Sequence, residues 1–147
     1  MRMKDVLAQK GQRIFSVWPS RLLKDVIATL DAQNIASLIV ADPQGKPMGI
    51  VTDRDVIHTI ARRGIECLDE PVSVAMKSPA PVCSPDDTVS DVLRTMTDKR
   101  VRHLIVVEDG QMMGLVSIGD LVKVRLDDAE IEGRVLRERA LSQMAFE

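Results

Sequence analysis

Aromatic residues are almost absent from this chain. Of its 147 residues, one is Trp, two are Phe and none is Tyr. The hydrophobic fraction is nevertheless 45%, which is ordinary for a globular protein. Because eight residues are Met, the sequence predicts an aliphatic core of Val, Ile, Leu and Met. The length fits one domain, or two small repeats that share a core.

Cysteines and long apolar runs are also scarce. Cys67 and Cys83 are the only cysteines, and two thiols so far apart predict neither a disulfide bond nor a metal site. No stretch approaches the roughly 18 apolar residues of a membrane span, and MRMKDVLAQKG at the N-terminus lacks the apolar segment of a signal peptide. We therefore expect a cytoplasmic protein with reduced thiols, no membrane partner, and Cys83 packed in the core.

The charge balance and the motif content exclude several function classes. The net charge of −2 gives no overall positive field, so nucleic acid is not an expected partner and any anion must be bound locally. The sequence has no Gly-rich phosphate loop, no Cys/His spacing typical of metal sites and no nucleophile elbow. We therefore predict a non-enzymatic protein with no catalytic residues and no metal.

An internal repeat organises the chain. Residues 20–57 align with residues 86–122 at an offset of 66 residues, which falls to 65 after a turn, where a change of length costs little. The matched pairs include Asp25 with Asp91, Leu38 with Leu104, Gly49 with Gly114, Thr52 with Ser117, and Asp55 with Asp120. Two copies in register predict one structural unit that occurs twice.

Each copy predicts the element order β-α-β-β-α and an α+β fold. Turn and N-cap residues at Pro19-Ser20 and Pro85-Asp86 precede helices of roughly 12 residues. The remaining predicted elements are short first strands at 14–17 and 82–83, buried strands at 38–40 and 104–107, returning strands at 48–51 and 112–116, and second helices at 53–63 and from 118 onward.

The repeats also predict the domain organisation. We expect a first repeat with an N-terminal helix at 1–66, a linker at 67–80 that contains a short helical turn at 72–76, and a second repeat at 81–125. Residues 126–147 form a charge-dense helical tail with a partial apolar face. Such a tail is typical either of a solvated helix or of a dimer or partner contact, and the ragged face does not decide between them.

The same motif ends the third strand of each copy: GIVTDRD at 49–55 and GLVSIGD at 114–120. The simplest interpretation of Thr52 and Asp55 is a capping box, in which each side chain binds the other's backbone amide. Recurrence of the motif, glycines inside both strand runs, and a helix N-terminus able to receive phosphate favour a ligand instead. The hydroxyl can donate to a phosphate, while the Asp can accept from a ribose diol.

Basic residues near the motifs support an anionic ligand. Arg54 lies inside the first motif, and Arg100, Arg102 and His103 lead into the buried strand of the second copy. Arg54 and Arg100 are also explained as solvated surface charges. For Arg102 and His103, which adjoin the apolar run, a phosphate role is slightly favoured over a structural one. His58 is interpreted as structural.

With these motifs, the chain over roughly residues 3–125 resembles a tandem pair of cystathionine β-synthase (CBS) domains, a Bateman module of the small stand-alone bacterial type. The resemblance implies two repeats packed about a pseudo-twofold axis. It also implies two clefts for an adenosine ligand such as AMP, ADP, ATP, NAD(H) or S-adenosylmethionine, and a homodimer.

The resemblance also implies roles for residues of both motifs. Asp55 and Asp120 would accept from ribose hydroxyls, and Arg102 and His103 match a basic position that reaches phosphate. The remaining contacts to phosphate would come from the hydroxyls of Thr52 and Ser117 and the amides of Asp53, Arg54, Ile118 and Gly119. The two sites differ, because Leu22 stands where the second copy has Thr88 and Trp18 where it has Ser84.

The predicted function is therefore a regulatory nucleotide sensor that requires no cofactor beyond its nucleotide ligand. It would signal through a change in conformation or dimer arrangement, read by an unidentified protein effector. The alternatives are a partner-docking protein whose motifs are only helix caps, and a detached regulatory subunit of an enzyme or transporter.

Overall fold

Two three-stranded sheets form the centre of the protein in a computed structural model that describes residues 1–11 and 13–145. In each sheet a short first strand runs parallel to the middle strand, and the third strand is antiparallel to it. The strands are β1 (Ser16–Val17), β2 (Ser37–Ala41), β3 (Pro47–Thr52), β4 (Val82–Cys83), β5 (His103–Glu108) and β6 (Gln111–Ser117).

The helices complete the repeated order within the described residues. They are α1 (Met3–Lys10), α2 (Leu23–Gln33), α3 (Asp53–Arg63), α4 (Val89–Lys99) and α5 (Ile118–Ala145), with 3-10 turns at Ile65–Asp69 and Val72–Val74. The predicted α+β class and the twofold β-α-β-β-α order are confirmed. In the described ranges, none of the helices combines the length and hydropathy required to cross a membrane.

The repeat extends to backbone irregularities. Both antiparallel ladders shift register at equivalent positions, between Val40 and Ala41 and between Val106 and Val107. Helices α2 and α4 both end at a left-handed residue, Asn34 with φ of 52° and Arg100 with φ of 54°.

The predicted N-caps of α2 and α4, at Ser20 and Asp86, each lie two residues before the observed ones. Residues 19 and 20 form a turn, closed by the Arg21 amide donating to the Trp18 carbonyl at 3.0 Å, and α2 begins only after Leu22. In the second copy Thr88 caps α4 by accepting from the Asp91 amide at 3.2 Å. The turn chemistry was correctly located, but an extended residue separates turn from helix in each copy.

Three apolar clusters hold the fold together. Helix α2 and strands β2 and β3 form a first core, while α4, α5 and strands β5 and β6 form a second core. A third cluster joins the two sheets through Ile39, Ile50 and Ile105, all at most 4% exposed. Both cysteines are free thiols, Cys67 in the first core and Cys83 against the second. Burial raises the pKa of the Cys83 thiol to about 12, so it is unreactive near neutral pH.

The segments that precede each repeat are exchanged between the cores. Met3, Val6 and Leu7 of α1 are buried in the second core, although α1 precedes the first repeat in the chain. Val72 and Ala75, from the segment between the repeats, are buried in the first core. Each half of the chain therefore contributes apolar side chains to the core of the other half.

The predicted tail is continuous with the last helix of the second repeat. Helix α5 runs for 28 residues without interruption from the end of β6. Residues 146 and 147, which the sequence assigned to the tail, lie outside the described residues.

Candidate functional site

Both strand-to-helix junctions form complete capping boxes. The Thr52 amide donates to Asp55 Oδ2 at 2.9 Å, and the Asp55 amide donates to Thr52 Oγ1 at 3.1 Å. At the second junction the corresponding distances between Ser117 and Asp120 are 2.8 and 3.2 Å. These bonds satisfy backbone amides that a helix start would otherwise leave without partners.

Three of the four helix-start amides predicted to receive phosphate already donate within the protein. The Asp53 amide donates to the Ala36 carbonyl at 3.0 Å, and the Arg54 amide to Asp53 Oδ1 at 2.8 Å. The Ile118 amide donates to the Arg102 carbonyl at 2.8 Å. These three amides are therefore not free donors, and recognition of an anion here depends on side chains.

The first junction opens into a cleft of about 850 Å³ between the two repeats, a volume within the range of small-molecule sites. Thr52 and Asp55 line the cleft from the first repeat. The segment from the end of α4 into β5 lines it from the second repeat. The apolar residues of the lining include Ile50, Ala80, Val82, Met96, Val101 and Ile118.

The cleft is strongly basic. Its lining includes five Arg or Lys side chains and a single carboxylate, that of Asp55. The basic residues are Arg54, Lys77, Lys99, Arg100 and Arg102. In a chain whose net charge is −2, this concentration of positive charge creates a local field that attracts anions.

His103 lies in the same lining at the start of β5. Burial lowers the pKa of His103 below its ordinary value, and the nearby charge of Lys10 lowers it further. Asp120 and Asp53 act in the opposite direction without reversing the shift. The imidazole is therefore neutral near pH 7.

The carboxylate oxygens at the first junction have different surroundings. Asp55 Oδ2 belongs to the capping box. Asp55 Oδ1 lies 3.7 Å from Lys77 Nζ and has no other ion-pair or hydrogen-bond partner among the described residues. The Asp55 side chain is 10% exposed. One oxygen remains able to accept from a ligand hydroxyl while the other fixes the helix start.

A lysine at the end of helix α1 binds at the second junction. Lys10 Nζ donates to Asp120 Oδ2 and to the Leu115 carbonyl, each at 2.6 Å. Burial alone would raise the pKa of Asp120, but the hydrogen bonds from Lys10 and the Ser117 amide hold it below its ordinary value. The two junctions, alike in sequence, therefore differ in what already binds the carboxylate.

Both motif glycines allow close approach by the protein's own chain. A Cβ on Gly49 would lie 2.5 Å from the Lys77 carbonyl oxygen, and one on Gly114 would lie 2.6 Å from Leu7 Cδ2. The sequence analysis took these glycines as support for a ligand. That interpretation is wrong, because the exchanged segments occupy the space in both repeats.

Six of the predicted site residues share this cleft. They are Thr52, Arg54, Asp55, Arg102, His103 and Ile118. Asp53, Ser117, Gly119 and Asp120 lie outside its lining. Lys77 and Lys99 were not predicted, and Arg100 was named as local charge that a solvated surface position would also explain. Proximity of charges in the sequence signals Lys99 and Arg100. Nothing local signals Lys77, since its position depends on the exchanged segment.

The comparisons with known proteins match both repeats. A family model described as "CBS domain" matches residues 4–62 and again 72–127. The crystal structure of a CBS-domain containing protein from Agrobacterium tumefaciens is 36% identical, with a TM-score of 0.81, over 85% of this chain and 99% of that chain. A mitochondrial CBS domain-containing protein of Arabidopsis thaliana is 30% identical over 129 residues, which are 82% of this chain but only 63% of that protein.

Two solved structures with the same fold contain adenosine ligands. A CBS domain protein from Pyrobaculum aerophilum complexed with AMP has a TM-score of 0.72 at 23% identity, over 82% of this chain and 89% of that chain. A CBS domain pair in complex with 5′-methylthioadenosine and S-adenosyl-L-methionine has a TM-score of 0.77 at 20% identity, over 87% and 98%. At these identities the likeness shows the fold alone. The twofold family match establishes the family itself: this chain belongs to the CBS-domain family and carries two CBS domains in tandem.

Proposed function

We propose that the protein is a non-enzymatic regulatory sensor that binds an adenine nucleotide in the basic cleft between its two CBS domains. The observation that carries this proposal is the joining of the Thr52–Asp55 junction to five basic side chains in one cleft. A nucleotide presents a ribose diol and an anionic phosphate a few ångströms apart. The cleft provides an acceptor for the first and positive charge for the second.

The geometry supports a role for each residue of the first site. Asp55 Oδ1 accepts from the ribose hydroxyls while Oδ2 stays in the capping box. Arg54 and Arg102 face the phosphate from the two repeats, with Thr52 and His103 beside them. Ile50, Val82 and Met96 offer an aliphatic surface for the adenine. Because the helix-start amides are engaged, charge-assisted bonds from side chains supply most of the affinity.

The charge of the cleft favours phosphorylated ligands. AMP, ADP, ATP and NADH carry anionic phosphates, whereas S-adenosylmethionine carries a cationic sulfonium that five basic side chains would repel. Among proteins of this fold, one is complexed with AMP and another with S-adenosylmethionine and methylthioadenosine. We expect this chain to resemble the first in its choice of ligand.

The second junction binds more weakly. Asp120 and Ser117 repeat the first motif, but Lys10 is already bonded to the carboxylate at 2.6 Å. A ribose at Asp120 has to displace this lysine or use the other carboxylate oxygen. One nucleotide per chain is therefore the expected occupancy at moderate concentration.

The proposed output is a change in the relative position of the two domains. The cleft is lined from both repeats, so a bound nucleotide stabilises the arrangement that closes its two sides. In a homodimer this change alters the surface presented to a protein effector.

Asp55→Asn tests this proposal with little disturbance of the fold. The asparagine Oδ1 can still accept from the Thr52 amide, while its NH2 replaces the oxygen that would accept from ribose. We expect the affinity for AMP or ATP, measured by calorimetry, to fall roughly tenfold or more, as for the loss of one charge-assisted bond.

Asp5→Asn is the matched control. Asp5 Oδ2 accepts from the Arg2 amide at 2.9 Å at the start of α1, as Asp55 Oδ2 accepts from the Thr52 amide, and Asp5 does not line the cleft. A nucleotide panel of AMP, ADP, ATP, NADH and S-adenosylmethionine in thermal unfolding would accompany it, because a ligand at 100 times its dissociation constant adds about 2.7 kcal/mol to stability. Equal affinity in wild type and Asp55→Asn, or no thermal shift with any nucleotide, would refute the proposal.

One observation favours a second candidate, a docking protein or regulatory subunit with structural clefts. Both motifs have complete structural explanations: the carboxylates close capping boxes, and the glycines make room for Lys77 and Leu7. This candidate predicts that no nucleotide shifts the unfolding temperature and that the protein copurifies with an enzyme or transporter.

A further inference from the structure

Among the described residues, the second half of α5 buries no side chain against the rest of the chain. Leu121 and Val124, in the first two turns, are at most 8% exposed and belong to the second core. From Arg125 to Met144 every side chain is exposed except the position of Gly133. Most helical stability in proteins comes from tertiary packing of an apolar face rather than from propensity, so this extension needs a partner surface.

One stripe of the extension has the spacing of a coiled-coil seam. Its residues alternate at intervals of four and three: Val122, Leu126, Ala129, Gly133, Leu136 and Ala140. The large members are open to solvent, with exposures of 45% for Val122, 59% for Leu126 and 63% for Leu136. A seam of this period packs against another helix, and its small residues allow close approach.

The charges beside the stripe identify the partner as a second copy in parallel orientation. In a parallel pair, the residue just before Leu126, Gly133 or Ala140, the first seam position of each heptad, faces the residue five further along the other helix. Glu132 then faces Arg137 of the second copy, and the pair recurs by symmetry. Arg125 faces Glu130 in the same way, although Arg125 also donates to Ser90 within its own chain.

Other arrangements place like charges together. An antiparallel pair that overlaps the whole stripe sets Glu132 against Glu132 of the second copy. The alternative seam through Ile131 and Val135 places Asp128 and Glu138 inside the interface. Its flanking pairs, in parallel orientation, are Asp127 with Glu132 and Arg134 with Arg139, all repulsive. Among the described residues, none of the intrachain ion pairs involves 126–145, so these charges are available to a partner.

We infer that residues 122–140 of α5 pair in parallel with the same residues of a second copy of this chain. This inference is independent of nucleotide binding. It assigns a partner to the region beyond the family match, which ends at residue 127. It also fixes a geometry, since a parallel pair places the CBS domains of both copies at the same end of the helix pair.

Single cysteines test the geometry directly. In a parallel pair Ala129→Cys and Ala140→Cys each meet their own counterparts at distances that allow a disulfide bond. Glu138→Cys, on the opposite side of the helix, is the matched control. After mild oxidation, we expect covalent dimers of the first two variants and little of the third. The wild type gives the background from Cys67 and Cys83, which are buried or half-buried.

Charge reversal tests the partner choice. Glu132→Arg and Arg137→Glu each create two like-charge pairs, and the double variant restores opposite charges with exchanged positions. We expect each single reversal to reduce cross-linking of Ala129→Cys and to weaken association on the order of tenfold, with recovery in the double variant. Equal cross-linking at residues 129 and 138, no cross-linking at 129 and 140, or no recovery in the double variant would overturn the inference.

Discussion

At the scale of single residues, the two oxygens of the Asp55 carboxylate have different surroundings. Asp55 Oδ2 closes the capping box, and Oδ1 faces the cleft near Lys77. A capping box uses only one oxygen of an aspartate, so a structural role and a binding role are compatible in one side chain. The capping-box interpretation and the ligand-binding interpretation of the motif are therefore compatible at this residue.

His103 gives the proposed site a pH dependence. In the free protein burial and Lys10 hold the pKa of His103 below its ordinary value of 6.5. A phosphate beside the imidazole would stabilise its charged form, so binding takes up a proton when the pH lies between the free and bound pKa values. We expect affinity to increase as the pH falls from about 7.5 to about 6, by at most about tenfold per pH unit. Calorimetry with NADH measures this well, because its phosphate diesters do not titrate in that range.

The unliganded protein should show the opposite trend. A histidine with a depressed folded pKa contributes stability above its unfolded value, and this contribution is lost as the pH falls through the folded pKa. Urea unfolding of the unliganded protein should therefore show declining stability below about pH 6.5. His103→Gln should flatten both pH profiles. If the affinity profile of His103→Gln matches that of the wild type, the histidine does not face the ligand.

At the scale of elements, the two glycines in β3 and β6 make a testable pair. A methyl at Gly49 would collide with the backbone oxygen of Lys77, whose amide and carbonyl are both hydrogen bonded to Ile50. A methyl at Gly114 would meet only the flexible end of Leu7. We expect Gly49→Ala to lower the free energy of unfolding by about 2–3 kcal/mol and Gly114→Ala by about 1 kcal/mol. Denaturant unfolding measures both.

A double-mutant cycle separates the two causes. Leu7→Ala removes the atoms that Gly114→Ala would contact, so the cost of Gly114→Ala should nearly vanish in that background. Met76→Ala should not rescue Gly49→Ala, because the closest atom belongs to the backbone. Rescue by Met76→Ala would mean that the Met76 side chain, at 3.0 Å from the added methyl, is the true obstacle.

The elements themselves were largely predictable, and their environment was not. Apolar periodicity located the strands and helices because the spacing of apolar side chains differs between the two kinds of element and depends only on local sequence. The starts of α2 and α4 were misplaced because the residues before them are extended. Leu22 bridges to Pro71, between the repeats, and Thr88 bridges to Arg2, before the first repeat. The reason for glycine at positions 49 and 114 was also missed. A glycine in a strand indicates that another group lies close to it, but not whether that group belongs to a ligand or to the protein.

At the scale of the whole molecule, the exchanged segments explain the remaining errors. Nothing local indicates that Leu7 packs on Gly114, or that Lys77 enters the first cleft, because these contacts join residues far apart in the chain. The same exchange makes the halves interdependent. Residues 1–66 alone would leave Met3, Val6 and Leu7 without the core that buries them.

The exchange also places Lys10 where it controls the second junction, and this leads to a prediction about occupancy. Lys10→Ala removes the ammonium bonded to Asp120 Oδ2 and to the Leu115 carbonyl, so a ribose can approach the Asp120 carboxylate without displacing a lysine. We expect the number of AMP or ATP molecules bound per chain in calorimetry to rise from one toward two. In an Asp55→Asn background, which weakens the first site, the second site should then be measurable alone.

Lys4→Ala is the matched control, since Lys4 lies on the same helix and pairs with Asp86 through two exposed side chains. It should leave occupancy unchanged, which separates loss of the Lys10 contact from general loosening of α1. If Lys10→Ala instead lowers affinity, Lys10 contributes charge to the phosphate and the second junction is the stronger site. Because the two results have opposite signs, one titration decides whether the N-terminal helix blocks the second junction or contributes to ligand binding there.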